Sequence, residues 1–258
     1  MSRIALACLA TVLSAGTAFA QPVAALVGGD TLAIVDASAR KVSKTMKIAG
    51  LPAPLVGIDV RPADGQLYGL SADGSVVTID AMAGKATVKV KLETMLPAGT
   101  GATVDFNPVA DRLRIIGEDG TNLRANVDDG KVVTDGKLRF AETDMHKGEK
   151  PRIVAGAYTN SMKGAKETAL FDVDATIGAL IKQAPPNDGV LNAVGKFGPK
   201  GMHYAFDIVT KADGTNEGWL MIDDTLHAVD LATGKATAAG KISGLTGPVR
   251  DIAALPAM

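Results

Sequence analysis

A block of four short strand-like runs recurs along the chain, and this repeat is the sequence feature that most constrains the fold. Equivalent points on the first run of each block are Asp59, Asp105, Tyr158, Asp207 and Asp251, which are 44 to 53 residues apart by number. A period near 40 to 50 residues with four strands per unit is typical of propeller blades.

The stretch from Ala102 to Phe140 shows one complete unit. Its runs VDFN, RLRIIG, TNLRANV and KLRF alternate polar and apolar residues with period two, and Asp-Gly pairs at 119–120, 129–130 and 135–136 separate them. Because Asp-Gly dipeptides close hairpins, the pattern predicts a four-stranded antiparallel meander whose last strand is KLRF, at 137–140.

The fifth unit is divided between the two ends of the chain. VRDIAA at Val249–Ala254 resembles a first strand that has no successors, and residues 24–48 resemble three strands that lack a first. Pairing them would close a ring and remove the exposed edges. The predicted fold class is all-β, a propeller-like ring of five four-stranded blades closed by a split N- and C-terminal blade. The alternative is an open β-sandwich array.

The first twenty residues predict a cleaved secretory signal peptide. Arg3 precedes an apolar run, Ala18 and Ala20 form an A-x-A cleavage site, and the run is too short for a membrane span. We therefore expect a periplasmic or secreted propeller-like domain over residues 21–258. The single cysteine, Cys8, would leave with the leader, which excludes disulfides and thiolate chemistry from the mature protein.

The composition of the chain limits the classes of partner that it can bind. The formal net charge is −1 and only 4% of residues are aromatic, which disfavours a nucleic-acid partner. We expect a monomer whose partner is a small polar ligand or another envelope protein.

Several elements resemble one bacterial family. VGIDVRPADGQLYGL, VDFNPVADRLRIIG, GTNLRANVDDG, AYTN and QAPPNDGVLNAVG are similar to the uncharacterised family catalogued as domain of unknown function 4394, over about Leu26 to Ala254. The resemblance implies a secreted or periplasmic propeller-like domain and carries over no catalytic residues.

Three repeat-position aspartates form the first candidate site. The first strand of each blade lines the channel of a propeller, so Asp59, Asp105 and Asp207 should sit at equivalent channel positions. Close carboxylates repel unless they are protonated or bridged by a cation, and Ca²⁺ prefers such oxygen ligands. Each aspartate could instead accept backbone hydrogen bonds or cap its local turn. A polar ligand is the third alternative.

A second candidate site is rich in arginine and asparagine. Arg112 and Arg124 are predicted to share one face of neighbouring strands, with Asp105 or Asp128 in reach. The pattern predicts either an internal lattice of arginine and carboxylate or a site for an anion or sugar. Loop residues could frame the channel mouth or only make turns. The candidate ligand-binding residues are Asp105, Asn107, Arg112, Arg114, Asn122, Arg124, Tyr158, Asn160, Asn187 and Asp188.

No catalytic motif marks the chain. His146, His203 and His227 are far apart in sequence and form no H-E-x-x-H pattern. The sequence also has no G-x-S-x-G motif around a serine. We therefore favour a binding or interaction module. The alternative is a hydrolase or lyase that uses channel carboxylates, with or without a divalent cation. An enzyme site should gather ionisable groups with shifted pKa values in one pocket, whereas a scaffold should scatter satisfied ones.

Overall fold

The computed structural model describes residues 21–256, whose strands form a five-bladed β-propeller. The predicted signal peptide at 1–20 lies outside the described residues. The strands of blade 1 are β1 (Pro22–Val27), β2 (Thr31–Asp36), β3 (Lys41–Lys47) and the C-terminal β21 (Val249–Ala254). Blade 2 contains β4 (Leu55–Val60), β5 (Leu67–Ser71), β6 (Ser75–Asp80) and β7 (Lys85–Lys91). Blade 3 contains β8 (Ala102–Asn107), β9 (Arg112–Gly117), β10 (Asn122–Ala125) and β11 (Val132–Thr134). Blade 4 contains β12 (Arg139–Phe140), β13 (Ile153–Tyr158), β14 (Leu170–Asp174), β15 (Ala179–Gln183) and β16 (Val190–Lys196), and blade 5 contains β17 (Tyr204–Thr210), β18 (Asn216–Ile222), β19 (Thr225–Val229) and β20 (Ala236–Lys241).

The split blade closes the ring, as predicted. β21 pairs antiparallel with β1, with Ala25 opposite Ile252, and the sheet order is β21-β1-β2-β3. The inner strands β4, β8, β13, β17 and β21 contact one another in sequence around the channel, and β21 contacts β4. Because β21 has neighbours on both sides, neither terminal edge of the ring is left unpaired.

Hairpin chemistry explains why these segments form antiparallel sheets. Gly120 and Gly130, the second residues of two Asp-Gly pairs, have φ values of +88° and +79°, which side chains with a Cβ rarely adopt. The flanking strands alternate their side chains between the two faces of each blade, so both faces can pack against neighbours.

The predicted fourth strand of blade 3 is wrong. That position is taken by β11, whereas Arg139 and Phe140 form β12 and pair in parallel with β16 of blade 4. The chain leaves blade 3 at Gly136, whose N–H donates to the Asn187 carbonyl at 2.8 Å. A Cβ at Gly136 would lie 2.5 Å from the Asp188 carbonyl oxygen, so the crossing requires glycine.

The core lies in the interfaces between neighbouring blades, here called seams. Each seam holds one cluster of buried apolar side chains; in seam 4–5 it includes Phe171, Val173, Phe197 and Phe206. Helix is limited, within the described residues, to the single 3-10 turn Pro186–Asp188. None of the described segments is a helix long and apolar enough to cross a membrane.

Candidate functional site in the channel

Four aspartates on the inner strands join adjacent blades around the channel. Each carboxylate accepts a backbone N–H from the next blade: Asp251 from Ile58 at 2.9 Å, Asp59 from Phe106 at 2.7 Å, Asp105 from Tyr158 at 3.0 Å, and Asp207 from Ala254 at 2.6 Å. Gly57 makes room for one of these contacts, because a Cβ there would lie 2.8 Å from Asp251 Oδ2. Acceptance of backbone hydrogen bonds, one of the alternatives for these aspartates, is therefore observed.

Blade 4 has no aspartate at this level of the channel. Tyr158 follows Ala157 on β13 and donates its N–H to Asp105, but β13 sends no carboxylate on to β17. Seam 4–5 is instead bridged at the strand ends, where Asn160 N donates to Asn216 Oδ1 at 2.8 Å and Asn216 Nδ2 donates to Asn160 Oδ1 at 2.8 Å.

Three of the four aspartates converge. One carboxylate oxygen from each of Asp59, Asp105 and Asp207 lies within 4.8 Å of the others, and all three side chains are buried. Asp105 keeps one oxygen free of these bridges, because Tyr158 bonds Oδ1 alone. No arginine, lysine or histidine of residues 21–256 pairs with the three carboxylates. Their charge has no counter-ion within the described protein.

Burial and mutual repulsion disfavour ionisation of this group, which we call the channel triad. Burial raises the pKa of Asp59 well above its ordinary value, and the charge of Asp207 raises it further. The pKa of Asp105 is raised by burial and then by the charge of Asp59, and that of Asp207 is raised by burial. Burial and repulsion therefore oppose three unpaired negative charges here, which protonation or a bound cation would relieve.

The triad borders one mouth of the channel, at the ends of the inner strands. Asp59 and Asp207 line a cavity of about 210 Å³ there, together with Pro62, Ser161 and Thr210. We call this opening the acidic mouth. A solute that enters it reaches the carboxylates of Asp59 and Asp207 directly.

The second candidate site is an arginine network buried in seam 3–4. Arg114, whose side chain is only 2% exposed, donates from Nε to the Tyr158 hydroxyl at 3.1 Å and from Nη1 to Asp135 Oδ2 at 2.5 Å. It also donates to Asn122 Oδ1 and Asn187 Oδ1, both at 2.8 Å. Every polar partner comes from the protein itself, so this network holds blades 3 and 4 together.

The predicted partners of the arginines are wrong. Arg124 pairs with Asp135 through Nε at 2.6 Å and Nη2 at 2.9 Å, and it lies opposite Arg114 across the β9–β10 pair. Arg112 is not part of the network; it donates to the backbone carbonyls of Ala110 and Asp111. The cross-strand register places Arg112 beyond the end of β10, which explains its separation from Arg124.

The remaining candidates are dispersed. Asn107 Oδ1 accepts from the backbone N–H groups of Val109 and Ala110, so it caps the β8–β9 turn. Asp105 belongs to the channel triad rather than to the arginine network, and Asp128 pairs with Arg61 at 2.7 Å. The backbone carbonyl of Asp188 accepts from Arg139. Asn160 has a φ of +58° and bridges blades 4 and 5 near the acidic mouth.

Comparison with known proteins places the chain in a family. A family model described as domain of unknown function (DUF4394) matches residues 31–253. The chain belongs to this family. No curated protein matches it.

Two solved structures are similar to this DUF4394 chain. A protein of unknown function from Bacteroides thetaiotaomicron VPI-5482 is 14% identical, with a TM-score of 0.54, and the match covers 92% of this chain and 65% of that one. A protein of unknown function from Bacteroides caccae is 15% identical, with a TM-score of 0.46, and the match covers 85% of this chain and 73% of that one. The DUF4394 chain thus spans just under two thirds of the Bacteroides thetaiotaomicron chain. At 14% identity, the likeness to the Bacteroides thetaiotaomicron chain concerns the fold alone.

Sequence reasoning on the DUF4394 chain missed Arg61, which crosses seam 2–3. Its guanidinium donates to both carboxylate oxygens of Asp111, at 2.8 and 2.6 Å, and to both of Asp128, at 3.1 and 2.7 Å. These contacts, with Lys89, lower the pKa of Asp128 to about 2. The available signal was an arginine directly after a first strand, in VRPADG.

Asp172 was missed as well. It is fully buried on β14, lies opposite Gly156, and has no hydrogen-bond partner for either oxygen among the described residues. A Cβ at Gly156 would lie 2.5 Å from Asp172 Oδ1, so glycine at that position accommodates the carboxyl group. Burial raises the pKa of Asp172 well above its ordinary value. A buried aspartate in the alternating run LFDVD was indistinguishable from an exposed one by pattern.

Proposed function

We propose that this protein is a secreted or periplasmic binding module whose channel triad holds a divalent cation, with Ca²⁺ the ion that fits best. The observation that carries the proposal is the convergence of three buried carboxylate oxygens within 4.8 Å, with no cationic side chain of residues 21–256 paired to them. A divalent ion would offset the repulsion that raises their pKa values.

The spacing of the carboxylates suits calcium. Ca²⁺–O distances of about 2.3 to 2.6 Å allow two ligand oxygens of one ion to be at most about 4.6 to 5.2 Å apart. The separations in the triad, all within 4.8 Å, match that range. Three carboxylates leave coordination positions of Ca²⁺ unfilled, since it takes about 6 to 8 oxygens. Waters or a small polar ligand in the acidic mouth would fill them, beside the hydroxyls of Ser161 and Thr210.

The proposed compartment fits a weak calcium site. The A-x-A sequence at 18–20 predicts release of the mature chain outside the cytoplasm. Extracellular calcium modules bind with dissociation constants of roughly 10⁻⁴ to 10⁻³ M. Mass spectrometry of the protein from an envelope fraction should find Gln21 at or near the N-terminus, and an intact Met1 there would overturn the proposed location.

Calcium-dependent thermal melts test the cation site. Millimolar Ca²⁺ should raise the melting temperature of the wild-type protein above its value in EDTA, because an ion that binds only the folded state stabilises it. Asp105→Asn should abolish the shift, since the amide can keep Oδ1 as acceptor for Tyr158 N but removes a carboxylate oxygen from the triad.

Asp172→Asn is the matched control, because Asp172 is equally buried and lies outside the triad. This variant should keep the full calcium response. A wild-type melt that Ca²⁺ does not move, or an Asp105→Asn protein that responds as the wild type does, would contradict the proposal.

One observation favours a hydrolase or lyase as the second candidate. Asp59 and Asp207, both with raised pKa values, line the same cavity, as a catalytic pair would. No histidine is among the described residues that line it. Turnover of a panel of glycosides and esters by the wild type, lost in Asp59→Asn, would establish this function; an inactive wild type with an intact calcium response supports the binding module.

A further inference from the structure

The second mouth of the channel, where the inner strands begin, is lined by basic side chains. Arg152, His203 and Arg250 border a cavity of about 290 Å³, together with Glu118 and residues that include Met202 and Tyr204. We call this opening the basic mouth. It is separate from the triad and from the acidic mouth, because the two cavities share no lining residue.

Both arginines of the basic mouth are held by one nitrogen and present the other two. Arg152 Nε donates to Glu118 Oε2 at 2.8 Å, and Arg250 Nε donates to the Gly28 carbonyl at 3.0 Å. Within residues 21–256, the Nη atoms of these two side chains make no hydrogen bond or ion pair with the protein. A guanidinium fixed in this way offers its Nη pair as a planar fork that matches the oxygens of a carboxylate or phosphate.

The position of Glu118 depends on a glycine. A Cβ at residue 101 would lie 2.1 Å from Glu118 Oε1, and the Glu118 N–H donates to the Gly101 carbonyl at 2.9 Å. Glycine at 101 therefore lets the Glu118 carboxylate approach the backbone, where it orients Arg152. Arg152, Arg250 and Glu118 together carry a formal net charge of +1, and His203 adds a polar ring to the same cavity.

We propose that the basic mouth binds a small dianionic oxyanion, either a phosphate group or a dicarboxylate, between Arg152 and Arg250. The cavity is at the lower end of the range of roughly 300 to 1,000 Å³ seen for ligand pockets, which suits an ion of this size better than a larger organic ligand. Glu118 is a positioning residue in this site. The proposal stands independently of the calcium site, since no residue is common to the two.

Isothermal titration with inorganic phosphate and with succinate, at matched ionic strength against chloride, tests the site. Binding of phosphate alone assigns a phosphoryl group, binding of succinate alone assigns a dicarboxylate, and binding of both assigns a general dianion site. Arg152→Gln and Arg250→Gln should each weaken binding at least tenfold while they keep the wild-type melting temperature. Heats equal to those of chloride for both anions would overturn the proposal.

Arg139→Gln is the matched control. Arg139 is exposed, as Arg152 and Arg250 are, and like Arg250 it donates to one backbone carbonyl, that of Asp188. It should bind as the wild type does, and an equal loss in all three variants would overturn the assignment. Glu118→Gln separates positioning from net charge. It should weaken binding severalfold if Glu118 orients Arg152, whereas tighter binding on removal of its negative charge would overturn that role.

Discussion

Seam 4–5 closes without a channel aspartate, whereas the other four seams each have one. Across seam 3–4, for example, Asp105 accepts the N–H of Tyr158, but across seam 4–5 the equivalent stretch of β13 carries Ala157. Seam 4–5 instead packs Phe171, Phe197 and Phe206 in one apolar cluster. Blades 4 and 5 are therefore joined without a channel aspartate, by apolar packing, the asparagine bridge and hydrogen bonds such as Ser161 N to Thr210 Oγ1 at 2.9 Å.

This comparison bears on the channel triad. Burying a carboxylate is costly unless it is paired and hydrogen-bonded, and seam 4–5 shows that closure does not require it. Asp59, Asp105 and Asp207 nonetheless point to one place in the channel. We infer that their convergence serves ligand binding in addition to blade closure.

Removal of the C-terminal strand β21, which completes the split blade, should have the largest effect on the ring. Deleting residues 247–258 removes β21 together with Asp251, and so opens the sheet of blade 1 and the contact with β4. We expect loss of the cooperative thermal transition, measured by circular dichroism. Deleting only residues 257–258 is the control and should preserve the transition. A truncated ring that kept the full transition would show that β21 does not close it.

The arginine network of seam 3–4 should show the next largest effect. Arg114→Ala leaves Asp135, which is 5% exposed, with only one arginine and removes the donors to Asn122 Oδ1 and Asn187 Oδ1, so the free energy of unfolding should fall by about 3 to 5 kcal/mol.

Arg124→Ala is the matched comparison within the same network. Asp135 keeps Arg114 in that variant, and the Arg124 side chain is 30% exposed, so the loss should be about 1 kcal/mol. Urea denaturation measures both. Equal losses in the free energy of unfolding would contradict this account, because they would show that the more buried Arg114 contributes no more than Arg124.

A smaller effect should appear in the pH dependence of seam 3–4. The pKa of Asp105 in the folded state is raised, so the folded protein holds the proton more tightly than the unfolded chain does. Its contribution therefore favours folding at low pH and is lost as pH rises from about 3.9, the unfolded value, through the raised pKa. In EDTA, Asp105→Asn should lose less stability than the wild type between about pH 5 and pH 8.

Asp128→Asn provides the contrast for this pH test. Because the pKa of Asp128 is lowered to about 2, its stabilising contribution is lost only as pH falls towards that value. In urea melts, the difference in the free energy of unfolding between Asp128→Asn and the wild type should stay constant between about pH 5 and pH 8. Parallel pH profiles for Asp105→Asn and the wild type would show that Asp105 does not titrate there.

A further small effect is expected at the asparagine bridge of seam 4–5. Asn160→Gly removes the side-chain bonds to Asn216 and the Glu167 carbonyl but tolerates the φ of +58°, so it should cost about 1 kcal/mol. Asn160→Ala should cost about 1 kcal/mol more, because alanine is strained at that φ. A higher melting temperature for Asn160→Ala than for Asn160→Gly would contradict the positive φ of residue 160.

The ring could be predicted from sequence because its signals are local. Hairpin turns, period-two strands and the unpaired strand at Val249–Ala254 each depend on a few consecutive residues, and the repeat then placed Asp59, Asp105 and Asp207 at matching points. The structure brings these three together as the repeat predicted.

The arginine partners could not be predicted in the same way. Arg114 meets Asn187 across 73 positions and Arg61 meets Asp128 across 67, contacts that exist only after neighbouring blades have packed. Asp135 was interpreted as a hairpin residue because Asp-Gly is a turn signal, whereas its carboxylate pairs with both Arg114 and Arg124. KLRF alternates as a strand should, but the pattern does not say which sheet it joins.

Diffraction from crystals grown with CaCl₂ tests the channel site most directly. An anomalous difference map at long wavelength should show one peak bounded by the carboxylates of Asp59, Asp105 and Asp207, with metal–oxygen distances of about 2.3 to 2.6 Å. The same map from Asp105→Asn crystals should lack that peak. A wild-type channel with no peak, in crystals whose calcium concentration exceeds 10 mM, would contradict the proposal that the triad holds a cation.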